Sequence, residues 1–131
     1  MIKYQVEGIT TKAYFDKPWK EMILHTLEVQ YGRHCINKRV KKEITSYLSS
    51  QPHDATVVCK DNCPCEIIGK EMAKKKLLKR YYNALMRCNW IVYNYHNEKL
   101  RTVSATFCKQ LDSINTKLDD YIFALKGVQK H

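Results

Sequence analysis

The chain predicts an α+β fold: a single domain in which a mostly antiparallel sheet is packed by two or three helices, in the order strand, helix, hairpin, helix, hairpin, helix. Three observations predict it. Ile2, Tyr4 and Val6 alternate with Lys3, Gln5 and Glu7, which is the period of a half-buried strand. Apolar residues recur at helical spacing in Trp19–Tyr31, Gly69–Asn89 and Leu111–Val128. Between these lie short runs rich in aromatic and β-branched residues, bounded by polar turns. At 131 residues and 44% hydrophobic content, the chain is long enough to bury a modest core.

The first strand runs to Ile9, with Gly8 near its end, and Thr10–Tyr14 either extends it or forms a loop. Asp16-Lys-Pro-Trp19 predicts a helix start, with Asp16 as N-cap and Pro18 in the first turn. Trp19, Met22, Ile23, Leu27 and Tyr31 form the stripe of that helix and Gly32 stops it. At the head of such a stripe, Trp19 is a core residue rather than a binding aromatic. Arg33–Lys42 holds five Lys or Arg in ten residues. Ile36, Val40 and Ile44 are spaced by four, which favours a helical turn or two; a loop that orders on RNA is the competing reading, and both stand.

Ile44–Ser49 and Ala55–Lys60 flank a polar turn with Pro52 and predict a first hairpin. Trp90–Tyr95 and Leu100–Phe107 flank His96–Lys99 and predict a second. The chain closes on a helix with Leu111, Ile114, Leu118, Tyr121, Ile122 and Leu125 on one side and Asp112, Asp119 and Asp120 opposite. This divides the chain into a basic α+β domain at 1–108 and a C-terminal amphipathic helical extension at 109–131.

Charge is the functional signal. Twenty-three Lys and Arg against 13 Asp and Glu leave +10 at pH 7, an excess that points to nucleic acid or another polyanion. It concentrates in Gly69–Asn89. Ala73, Leu77, Leu78, Tyr81, Tyr82, Ala84, Leu85 and Cys88 fall on one side of a helical wheel. Lys75, Lys76, Lys79, Arg80 and Arg87 fall on the other, within an arc of about 140°. With Glu71 the sole acid of the stretch, such a helix gains little from pairs at i±4, so a polyanionic partner is the economical explanation. Arg33, Lys38, Arg39, Lys41 and Lys42, with Lys99 and Arg101, extend the cationic set. Tyr81, Tyr82 and Tyr95 are candidates to stack on an unpaired base, although core packing is the ordinary state of a tyrosine at helical spacing.

Other chemistry is poorly served. Cys59, Cys63 and Cys65 cluster with three and one residues between them, not the pair of two-residue gaps of a zinc knuckle. A fourth ligand would have to come from Cys35, His53 or Cys88, and free thiols are the simpler reading. The five His have no Cys or Ser with a carboxylate in a supporting motif, and four Gly in all make no phosphate loop. The expectation is a non-enzyme with no cofactor, metal or small-molecule substrate. No apolar run reaches the length of a membrane span, and MIKYQVEG lacks a signal-peptide core. The six Cys are then expected as reduced thiols, with no membrane partner.

Several stretches resemble the eukaryote-specific large-subunit ribosomal protein twenty-two family, the e-type. IKYQVEGIT is similar to its first strand, WKEMILHTLEVQYG to its first helix and ATVVCKDN to a hairpin strand. IGKEMAKKKLLKRYYNALMRCNW is similar to its Lys-rich helix ending in Trp, and IVYNYHNEKLRTVSATF to its last hairpin. The match covers roughly 2–32 and 55–107. The chain departs from the family at Arg33–Lys42, where the family has a shorter Gly-rich turn, and at its end, where a helix replaces an acidic tail. The resemblance implies a structural component of the large ribosomal subunit, with rRNA and neighbouring ribosomal proteins as partners, cytoplasmic in the ribosome and assembled in the nucleus or nucleolus. Carried over by position, its RNA contacts are Lys70, Lys74, Lys75, Lys76, Lys79 and Arg80; with Arg33 and Arg87 from charge, these are the expected RNA-binding residues. Two alternatives are another basic RNA-binding factor associated with the ribosome, and a phospholipid-transfer domain. FDKPWKEM after an N-terminal strand, with an amphipathic C-terminal helix, is similar to the slowmo/PRELI-type proteins that carry phospholipid.

Overall fold

A computed structural model of the chain describes residues 1–59 and 65–129; at 65, 66, 98 and 126–129 it describes the backbone alone. The described elements are β1 (Ile2–Glu7), β2 (Thr10–Phe15), α1 (Trp19–Tyr31), α2 (Lys38–Ser49), β3 (Asp54–Val58), α3 (Lys70–His96) and α4 (Arg101–Gln129). Turns of 3-10 helix at Arg33–Cys35 and Asn97–Leu100 precede α2 and α4, and a π turn at Cys65–Gly69 leads into α3. The class is α+β, as expected. The chain forms two compact units: a sheet unit of Met1–Asp16, Pro52–Tyr81 and Asn115–His131, and a helical unit of Lys17–Gln51 and Tyr82–Ile114.

In the sheet unit three antiparallel strands lie in the order β1-β2-β3. β1 and β2 are joined by Gly8-Ile9, and Gly8 adopts φ +60°. A two-residue hairpin of this hand needs a positive φ at its first loop position, which glycine adopts without strain. Tyr4, Ala13 and Ala55 stand in one cross-strand row, as do Val6, Thr11 and Val57. Thr11, Ala13, Ala55 and Val57 are buried, so this face of the sheet meets the core. Helical residues of the same unit bury Met72, Ala73, Leu77 and Tyr81 from α3 and Leu118 and Ile122 from α4. The Phe15 and Tyr81 rings sit 5.4 Å apart at a tilt of 57°. Thr10–Tyr14, open between strand and loop in the sequence, is β2.

In the helical unit, burial follows helical spacing on every element. Trp19, Ile23, Leu27 and Tyr31 are buried on α1, and Val40, Ile44 and Leu48 on α2. Ala84, Leu85, Cys88 and Val92 are buried on α3, and Ser104, Phe107 and Leu111 on α4. α1 packs on α2. The start of α2 is capped by Asn37, whose side chain accepts from Val40 N at 3.0 Å. One polar cluster lies inside. Tyr31 donates its hydroxyl proton to Asn89 Oδ1. Asn89 Nδ2 donates to Ser104 Oγ at 3.0 Å and to Cys108 Sγ at 3.1 Å. Asn89 is fully buried, and its amide meets the donors and acceptors of α1 and α4 rather than water.

Several expectations are corrected. The first predicted hairpin is absent, because Ile44–Ser49 belongs to α2 and β3 pairs with β2 instead. Val40, Ile44 and Leu48 complete a buried i, i+4, i+8 stripe, and that period outweighs the β-branched content. The second predicted hairpin is helical throughout: Trp90–Tyr95 continues α3, and Leu100–Phe107 is the turn into α4 and its first residues. Aromatic and β-branched residues carry strand preference only where a pleated surface receives them; here Val92 extends the buried line of Leu85 and Cys88. The last hairpin of the ribosomal resemblance is therefore a helix–turn–helix in this chain. Asp16 does not cap α1. Pro18 occupies that position without a side-chain cap, and Asp16 instead accepts from the Met1 amine at 3.0 Å. Arg33–Lys42 is a 3-10 turn followed by the first turn of α2.

Candidate nucleic-acid interface

α3 begins in the sheet unit with Lys70, Lys74, Lys75, Lys76 and Lys79 all partly buried, and Arg80 exposed. The partners its own sequence lacks come from elsewhere in that unit. Lys79 forms an ion pair with Asp119 of α4. Lys75 Nζ lies 4.9 Å from the centroid of the Tyr121 ring, a cation–π contact. The Tyr121 hydroxyl donates to Glu71 at 3.4 Å. Lys70 Nζ is 5.7 Å from the Tyr4 ring of β1, and Arg80 Nη1 donates to the Asp54 carbonyl at 2.8 Å. The cationic side of this helix segment is thus largely engaged by its own unit. Asp119 lies 40 residues from Lys79, far beyond the i±4 range of a helix's own pairs, and only the packing of α4 brings it there.

The two remaining expected residues belong to the helical unit. Arg33 is 92% exposed, with Nε 3.6 Å from Glu28, and Arg87 is exposed on α3. Of the tyrosines considered for stacking, Tyr81 is buried and Tyr82 half-buried, while Tyr95 is exposed and packs edge-on against His96 at 4.9 Å.

A second cationic surface is more open. In the helical unit, Lys20 and Leu24 of α1 and Lys38, Lys41, Lys42, Thr45 and Ser46 of α2 line an open groove of about 450 Å³. The spacings explain the juxtaposition: 20 and 24 lie one turn apart, and 38, 41, 42, 45 and 46 share one side of a helix. All four lysines are exposed. Lys41 Nζ lies 3.8 Å from Glu28; Lys20, Lys38 and Lys42 make no ion pair among the described residues. Lys38, Arg39, Lys41 and Lys42 also crowd the start of α2, which has no acid in its first turn. The backbone dipole is positive there, so these charges repel one another and the helix end together. An anion relieves both. The sequence pointed to Lys38, Lys41 and Lys42 only as part of a broader cationic set. It missed Lys20, which joins the groove only because α1 packs on α2.

The cysteine cluster falls largely outside the described residues. Cys59 is buried, Cys63 lies in the segment not described, and the side chain of Cys65 is likewise outside. Among the described residues no three His, Cys, Asp or Glu come together as a metal-binding group, and no helix is long and apolar enough to cross a membrane. No protein-family model, curated protein or solved structure matches this chain.

Proposed function

We propose that this protein binds structured RNA by neutralising backbone phosphates, without turnover, and that the α1–α2 groove is its principal contact. The carrying observation is the groove itself: four exposed lysines, three of them without an ion pair among the described residues, around a cleft that runs along the side of α2 from its positive end. The balance of charge agrees. The helical unit holds eleven Lys and Arg against five Asp and Glu, the sheet unit twelve against eight. The lysines of α3, partly buried and engaged by Tyr4, Asp119 and Tyr121, add long-range attraction more than contact. Recognition is of backbone and shape, as A-form RNA favours. A place in the large ribosomal subunit is the finer form of this proposal, and rests on the resemblance of 2–32 and of the Lys-rich helix.

The test compares two double charge reversals in titrations of a structured RNA across a range of salt. Lys38→Glu with Lys42→Glu is expected to weaken binding and to reduce the slope of log affinity against log salt by about two, one for each phosphate no longer neutralised. Lys75→Glu with Lys79→Glu is expected to weaken it less. The reverse ranking moves the interface to α3, and salt-insensitive binding with both pairs harmless ends the RNA reading. For the ribosomal form, the tagged protein is run from lysate on a sucrose gradient: migration with large subunits supports it, whereas migration as a free small protein with phospholipid in the extract favours lipid transfer.

A further inference from the structure

We infer that copies of this chain associate head to tail, the acidic face of α4 that carries Phe123 in one copy docking into the lysine-lined α1–α2 groove of the next. Phe123 is 79% exposed. Asp119 and Asp120 lie four and three residues before it, on the same side of the helix, and the three line an open hollow with Ile122. An aromatic knob flanked by carboxylates is out of character for a chain of net charge +10. RNA phosphates are repelled by it, so the RNA-binding reading gives it no role. Its complement in charge and polarity lies on the same molecule: a groove with the Leu24 side chain in its lining and Lys20, Lys38, Lys41 and Lys42 around it. Asp119 already meets one lysine, Lys79, and Asp120 has no ion pair among the described residues.

The two surfaces differ, so the contact is heterologous. Each copy that docks still offers one free face, and growth continues unless the rotation closes a ring. The contact is small and charged, hence weak and sensitive to salt.

Sedimentation of the full chain in the absence of RNA tests this independently of the RNA reading. The weight-average mass is expected to rise with concentration at low salt and to return to the monomer at high salt. Asp120→Lys and Lys42→Glu, each alone, are expected to remain monomeric. Mixing those two variants is expected to restore association, because each docked pair then joins opposite charges. A wild-type chain that stays monomeric at every concentration overturns the inference. So does association that survives both substitutions, or a mixture that behaves as its two components do apart.

Discussion

Asn89 shows what one side chain does in the helical unit. Its carbonyl oxygen accepts from Tyr31, and its amide nitrogen donates to Ser104 and Cys108, so a single buried residue ties α3 to α1 and α4. Replacing it by leucine keeps the volume and removes the Asn89 acceptor of the buried Tyr31 hydroxyl together with the donor to Ser104 and Cys108. Each of the three hydrogen bonds removed costs about 1 kcal/mol. Asn89→Leu is therefore expected to destabilise the protein by roughly 2–4 kcal/mol in urea unfolding; a change near zero would show that the cluster is not satisfied as described. Nothing adjacent in sequence marks Asn89 as buried, since its partners lie 15 to 58 residues away. The lysines give the same lesson at the surface. Lys79 and Lys42 look alike in the sequence, yet one is paired with Asp119 while the other is exposed beside a groove.

At the level of elements, the helices were more legible than the strands. The stripes of α1, of the first part of α3 and of the second part of α4 stand in the sequence as a period of 3.6. Segments mixing that period with aromatic and β-branched residues misled. Trp90–Tyr95 has strand composition, but Leu85, Cys88 and Val92 share one buried line, and packing decides. This gives a direct check. Asn94 is exposed within α3, where proline removes a backbone hydrogen bond and clashes with the preceding turn, at a cost of about 3 kcal/mol. Asn94→Pro is expected to lower the unfolding free energy by roughly that amount and to reduce the far-ultraviolet helical signal. A variant with unchanged stability and signal would contradict a continuous α3. β2 was equally hidden: its signal was Gly8-Ile9 between two alternating runs, a two-residue hairpin loop read as the end of one strand.

For the molecule as a whole, two buried acids tie stability to alkaline pH. Burial pushes the Tyr31 hydroxyl from 10.0 up to about 12, opposed by its hydrogen bonding to Ser104. Burial alone pushes the Cys88 thiol from 9.0 up to about 12. Both groups are neutral when protonated, so the folded state holds their protons to higher pH than the unfolded chain does. The stability they contribute is complete below pH 9 and drains away as the pH rises from there through 12. Urea midpoints are accordingly expected to fall from about pH 9 upward, and Tyr31→Phe combined with Cys88→Ala is expected to flatten that fall while lowering the plateau. An undiminished alkaline slope in the double variant would assign the effect to other groups.

The sequence by itself determined the α+β class, the first strand, the amphipathic helices and the cationic character that points to a polyanion, because periodicity and composition are local properties that any segment carries with it. Tertiary structure decided which cations remain available. The carboxylate and ring that engage Lys79 and Lys75 arrive on α4, some forty residues away, and the groove of Lys20, Lys38, Lys41 and Lys42 exists only where α1 lies against α2. Whether a charge is neutralised inside the fold or kept for a partner depends on what the rest of the chain brings beside it, and no local pattern records that.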